Sequence, residues 1–175
     1  MARDVRVVRH ALAESVFQSV LKKYQEATWP ETNHTVWSDE LYDKNCNVDI
    51  TPIEPIVEIV AEVNKHLWEE VPLDEYSTQQ FYRYHSYSYL NWHVDKGYKN
   101  GYNGAYTLYL NNEWNRNWGG QLLFANGRFI SPERNTLVIV PSDCMHSVAM
   151  IHKDAPNRMV LQGFILNGKR TDYET

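Results

Sequence analysis

The chain reads as a mainly β protein with supporting helices (α+β), in the form of a sandwich or jelly roll. Three observations predict this. From Ser77 onward, short β-prone runs alternate with turn-rich pieces and no further long helix can be drawn. Before that point stand two apolar stripes at helical spacing, so helices precede strands instead of alternating with them as in parallel βαβ units. The chain also carries 12 Tyr and 6 Trp among 175 residues, side chains that favour pleated surfaces and line clefts.

Taken in order, Val5 to Arg9 is a short β-prone run. Leu12, Val16, Val20 and Tyr24 step by four and predict an amphipathic helix that ends before Trp29-Pro30. From Glu31 to Asn47 the pattern dissolves into polar residues around Trp37, Leu41 and Tyr42, which predicts a surface connection with one short strand or turn near Thr35 to Trp37. Thr51 as N-cap, Pro52 as first helical residue and Glu54 three after the cap read as a capping box. The stripe Ile56, Ile59, Val60, Val63 and Leu67 continues that second helix, which stops before Val71-Pro72.

Strands are then expected at Ser77 to Tyr87, Leu90 to Asp95, Ala105 to Leu110, Gln121 to Ala125 and Arg128 to Ser131, the last two joined by an Asn126-Gly127 hairpin turn. Thr136 to Val140, Cys144 to Ile151 and Arg158 to Leu166 complete the set. Lys96 to Gly104, rich in Gly and Asn, is expected as a loop at the mouth of the fold. The whole of 1–175 is read as a single domain, with 1–76 a helical support region and 77–168 the β core.

Composition narrows the function. A net charge of −5 with no Lys/Arg block argues against a nucleic-acid partner held by phosphate neutralisation. No apolar run approaches the ~18 residues of a membrane span, and the start Met1-Ala-Arg-Asp-Val lacks a signal-peptide core. A cytoplasmic location with no membrane partner is therefore expected. The 2 cysteines, Cys46 and Cys144, form no disulfide framework.

The chemistry centres on His93-Val94-Asp95. Side chains at i and i+2 of an extended strand share a face, so this imidazole and carboxylate can grip one metal ion from the same side. A third ligand has to come from elsewhere, and His146 lies in another β-rich run. Two histidines and one carboxylate form the facial triad of non-haem Fe(II) oxygenases, with coordination positions left open. A lone His-x-Asp also arises as a solvated pair at a strand end, so the surroundings decide. Cys144 shares the parity of His146 and is read as a buried inert thiol. Arg158 enters a strand beside Met159, Val160 and Leu161, where a guanidinium needs an anionic partner: a dicarboxylate co-substrate or an internal Asp or Glu. Arg116 and Arg128 are read as solvated charge.

In combination, His93-Val94-Asp95, Tyr109-Leu110-Asn111-Asn112-Glu113-Trp114, Trp118-Gly119-Gly120-Gln121-Leu122, His146 and Arg158 resemble the 2-oxoglutarate- and Fe(II)-dependent dioxygenases, and within them the prolyl-4-hydroxylase-like branch. The resemblance runs from about Tyr82 to Phe164. It implies a double-stranded β-helix (jelly roll) core with two N-terminal helices packed on the sheet. It also implies Fe(II) held by the catalytic residues His93, Asp95 and His146, the co-substrates 2-oxoglutarate and O2, and ascorbate as a candidate reductant. Arg158 would hold the distal carboxylate of 2-oxoglutarate, Tyr109 would hydrogen-bond it, and Tyr84 or Tyr82 would stand near the chelating end.

The function implied is hydroxylation of a C–H bond, that of a prolyl residue in a peptide or protein, with succinate and CO2 as co-products. The family's halogenases replace the carboxylate ligand with a small residue, and Asp95 is present here. Trp92, Asn91, Tyr98 and Trp118 are candidate substrate contacts. Two alternatives stand beside this reading: a hydroxylase of a free amino acid or other small molecule, and a non-catalytic metal-binding jelly-roll protein, in which Arg158 captures some other carboxylate.

Overall fold

Alternation along single strands divides the interior into two layers. In the computed structural model, which describes residues 3–68, 79–95 and 102–166, the strand Arg158–Leu166 buries Leu161 and Ile165 in one cluster and Val160 in another. The strands are β1 (Arg6–Val8), β2 (Glu31–Thr32), β3 (Val48–Ile53), β4 (Gln79–Tyr84), β5 (Leu90–His93) and β6 (Tyr102–Tyr109). They continue as β7 (Leu122–Phe124), β8 (Phe129–Ile130), β9 (Leu137–Pro141), β10 (His146–Val148) and β11 (Arg158–Leu166). The helices are α1 (Glu14–Gln25), α2 (Asn33–Val36) and α3 (Val57–His66), with 3-10 turns at Asp39–Leu41 and Arg116–Trp118.

Seven strands pair in the order β1-β9-β6-β11-β4-β3-β2 and four in the order β5-β10-β7-β8. All pairings are antiparallel. The sheets face each other through Val138, Val140, Val160 and Tyr84 on one side and Leu122, Phe124 and Val148 on the other, which makes the jelly roll. The opposite face of the larger sheet, with Phe81, Tyr106, Leu108 and Leu161, is covered by Phe17, Val20 and Tyr24 of α1 and by Ile59 and Val63 of α3. Burying one such side chain contributes roughly 1.5–3 kcal/mol, so this layer anchors the helices.

Three expectations are corrected. Residues 48–53 form β3 and not a helix start: Thr51 stands opposite Phe81 in the sheet and is buried. Pro52 is tolerated because it lies beyond the short β2, which reaches only Asp49 and Ile50. The helix begins later, at Val57, and its entry is satisfied from outside, by the buried Gln79 side chain accepting from the Ile56 N–H at 2.8 Å. Among the described residues, the part of the chain before β4 thus adds three strands to the larger sheet besides the supporting helices.

The Glu31 to Asn47 stretch holds α2 where a strand or turn was expected. It is also more than a surface connection, because Trp37 packs edge-on against Tyr82 at 5.6 Å and Tyr42 is buried with the inter-sheet cluster. In α1 the helix starts after Leu12, and the fully buried Phe17 joins the expected stripe. No helix among the described residues is long and apolar enough to cross a membrane.

Candidate active site

The two histidines of the expected triad come from neighbouring strands. β5 and β10 pair so that His93 stands opposite His146, with ring centroids 4.3 Å apart. Leu90 stands opposite Val148, so β5 uses four residues where β10 uses three. This bulge turns Leu90 and His93 toward the same cavity and leaves Asn91 and Trp92 exposed. Asp95 follows β5, and its two oxygens lie 3.7 Å from His93 Nε2 and 3.6 Å from His146 Nε2. The three ligand atoms all fall within 4.8 Å of one another, close enough to share one ion.

Their hydrogen bonds match that use. His93 Nδ1–H donates to the Asn91 carbonyl at 2.7 Å and His146 Nδ1–H to the Cys144 carbonyl at 2.9 Å. A carbonyl can only accept, so each Nδ1 carries the proton and each Nε2 keeps a lone pair for metal. Burial, together with the neighbouring His146, holds the His93 imidazole below its usual range. Asp95 Oδ2 is buried and finds no hydrogen-bond partner. Two imidazoles with Nε2 turned to one point and an orphaned carboxylate oxygen fit a divalent cation.

Arg158 stands at the start of β11, opposite Tyr84 on β4, and is 2 % exposed. Its Nε–H donates to the Gly120 carbonyl at 2.9 Å, and the guanidinium lies 4.8 Å from the Tyr84 ring centre and 5.2 Å from that of Tyr109. Among the described residues it makes no ion pair with a carboxylate, so none of them supplies the internal salt bridge. The Tyr109 hydroxyl is buried without a hydrogen-bond partner. Burial pushes both phenols up, against the pull of the guanidinium, so both remain neutral. A buried cation and a free phenol side by side are what a carboxylate needs.

The triad and Arg158 line one narrow cavity, which Tyr84 also lines. Tyr82 does not: its hydroxyl donates to Gln80 and its ring joins the inter-sheet cluster. Thr107 and Gln162, which the sequence reading passed over, line the cavity too. Strand parity could have found them, since Thr107 is two residues before Tyr109 and Gln162 four after Arg158. Of the candidate substrate contacts, Trp92 is 52 % exposed, Asn91 donates to the Glu40 carbonyl, and Trp118 packs edge-on against Trp114. None of the three lines the cavity, and Tyr98 lies outside the described residues. Cys144 is half-buried, and burial pushes its thiol up.

A jelly roll that encloses a His-Asp-His group is the build of a non-haem metal oxygenase. The family model of the 2OG-Fe(II) oxygenase superfamily matches residues 79–166, half of the chain, and the chain belongs to that superfamily. Among solved structures it is similar to a prolyl-4-hydroxylase from Pseudomonas putida, with TM-score 0.68 and 18 % identity, covering 93 % of this chain and 92 % of that one. It is also similar to a Trichoplax adhaerens prolyl hydroxylase in complex with a hypoxia inducible factor peptide fragment, with TM-score 0.71 and 17 % identity, over 93 % and 83 % of the two chains. A viral collagen prolyl hydroxylase from Paramecium Bursaria Chlorella virus-1 gives TM-score 0.66 and 12 % identity over 94 % and 96 %. No curated protein sequence matches. The protein is thus a 2-oxoglutarate-dependent oxygenase of prolyl-4-hydroxylase-like build, whose family works with Fe(II), 2-oxoglutarate and O2.

Proposed function

We propose that this enzyme hydroxylates a prolyl residue in a peptide or protein, with succinate and CO2 as co-products and ascorbate as reductant. The observation that carries the reaction class is the buried Arg158, without an acidic partner among the described residues, in the same cavity as the His93-Asp95-His146 group. Removing a cation from water costs several kcal/mol unless an anion meets it, and a purely structural metal site needs no such clamp.

In this reading His93, Asp95 and His146 would hold Fe(II), which with 2-oxoglutarate and O2 supplies the oxidant for C–H hydroxylation. The Asn91 and Cys144 carbonyls keep both imidazoles in the metal-binding tautomer. Arg158 receives the distal carboxylate of 2-oxoglutarate, with the Tyr109 hydroxyl as a further donor, and Tyr84 stands in the cavity wall beside it. These contacts orient the co-substrate so that its 2-oxo acid end points toward the triad. Leu90, Ala105, Leu122, Val140 and Val148 form the aliphatic part of the lining and restrict water. A prolyl substrate is supported by the neighbours named above, one of which is recorded with a peptide fragment.

The test is anaerobic calorimetry of 2-oxoglutarate with and without Mn(II) as a redox-silent stand-in for Fe(II), followed by succinate release with proline-containing peptides and free proline. Metal-dependent binding and peptide-stimulated turnover are expected. Metal binding without 2-oxoglutarate binding removes the oxygenase assignment of this cavity, and stimulation by free proline alone moves the substrate to a small molecule.

A further inference from the structure

We propose that Asn111 is a positioning residue that holds Arg158 in place for the 2-oxoglutarate carboxylate. The inference rests on the role given to Arg158 above. The β6–β11 ladder ends at the pair Tyr109 and Val160, with one further bond from the Leu110 N–H to the Met159 carbonyl at 3.0 Å. Arg158 therefore sits past the regular β6 pairing, where that strand no longer fixes it.

Asn111 takes over at this point. It is 4 % exposed; its Nδ2 donates to the Asn157 carbonyl at 2.9 Å and its Oδ1 accepts from the Met159 N–H at 2.8 Å. The two bonds bracket Arg158 on both sides, so the side-chain amide serves as a peptide group and continues the ladder. Asp in its place would meet the Asn157 carbonyl with a charge and no donor, and Ser lacks the reach to make both bonds. Asn111 does not line the cavity. Its influence on a ligand has to pass through the main chain of residues 157–159.

Such a bracket has a specific use here. An arginine in an ion pair is placed by its partner, whereas Arg158 has none among the described residues before the co-substrate arrives. Its Nε–H bond to Gly120 fixes one nitrogen of the fork, and Asn111 fixes the backbone from which the side chain departs. Both supports act before binding, so the carboxylate meets a guanidinium already oriented.

The experiment compares binding of 2-oxoglutarate and of oxalate to the Mn(II)-loaded protein by calorimetry in wild type, Asn111→Asp, Asn111→Ser and Arg158→Met. Oxalate chelates the metal but has no distal carboxylate. If Asn111 acts through Arg158, both Asn111 variants weaken 2-oxoglutarate by about tenfold and leave oxalate and Mn(II) affinity unchanged. Equal weakening of both ligands would reduce Asn111 to general scaffolding, and unchanged 2-oxoglutarate binding in either folded variant also overturns the proposal. Unchanged 2-oxoglutarate binding in Arg158→Met instead removes the underlying assignment of Arg158, a distinct failure.

Discussion

His93 and His146 face each other across one antiparallel strand pair, with ring centroids 4.3 Å apart. The ladder of β5 and β10 thus sets the spacing of the two imidazoles directly, while Asp95 reaches them from the chain just beyond β5. Burial and the neighbouring His146 disfavour protonation of His93, and each imidazole already gives its Nδ1–H to a carbonyl. Both Nε2 atoms are thereby left facing the Asp95 carboxylate.

Asp95→Ala therefore removes the charged member of the group without disturbing the ladder. Mn(II) affinity is expected to fall by at least about 100-fold, and turnover with Fe(II) to vanish. Because Asp95 Oδ2 has no hydrogen bond to lose, thermal stability of the metal-free protein should hold or rise. Calorimetry, succinate release and a melting curve on the same variant check all three, and retained turnover sinks the triad.

Proton competition gives a second expectation. The His93 value is held below 6.5 by burial and by His146, so protons displace metal from it only under more acidic conditions than for a free imidazole. Mn(II) affinity should stay level from about pH 8 to the ordinary histidine range near 6.5 and fall below it. The sign is the same for the metal-free fold: the unfolded chain takes up the proton first, so stability at this group is lost as pH falls through and below that range. Titrations at successive pH values decide it, and an affinity that already declines steadily from pH 8 contradicts the shift.

What was legible in the sequence follows from how local each signal is. The α1 stripe, the Asn126-Gly127 hairpin and the strand at Arg158 to Leu166 are properties of neighbouring residues, and all three elements appear in the fold. The grouping of His93, Asp95 and His146 was legible because locally extended chain brings i and i+2 to one side even past the end of β5, and β10 carries a single histidine. Thr51-Pro52-Ile53-Glu54 carries the local signature of a capping box, but pairing of β3 with β4 is non-local and won. The support for the helix entry, Gln79, is 23 residues away from Ile56, beyond any local pattern. Equally, nothing adjacent in sequence tells that Asn111 reaches across to Asn157 and Met159.

Gly119 tests the turn behind the clamp. Its φ of 73° and ψ of −148° lie in a region nearly confined to glycine, and an added Cβ would fall 1.9 Å from the Met150 carbonyl oxygen. The next residue, Gly120, supplies the carbonyl that holds Arg158. Gly119→Ala should cost about 3 kcal/mol or more, read as a melting temperature lower by roughly 10 °C. An unchanged melting curve would mean that the turn relaxes without cost.

Arg158→Met separates function from stability most sharply. In most buried sites, deleting a cation strands its acidic partner and destabilises the fold by several kcal/mol. Arg158 has no such partner among the described residues; what the change removes is a desolvated charge, one hydrogen bond to the Gly120 carbonyl and its stacking between Tyr84 and Tyr109. Methionine keeps most of the apolar stem, so the variant should melt at or above the wild-type temperature. Its 2-oxoglutarate requirement should nevertheless rise by about 30-fold or more, the loss expected when one member of a buried charge pair is truncated, with Mn(II) affinity unchanged. Parallel melting curves and 2-oxoglutarate titrations measure both. A lower melting temperature with an unaltered 2-oxoglutarate requirement would make Arg158 a structural residue and place the co-substrate carboxylate elsewhere.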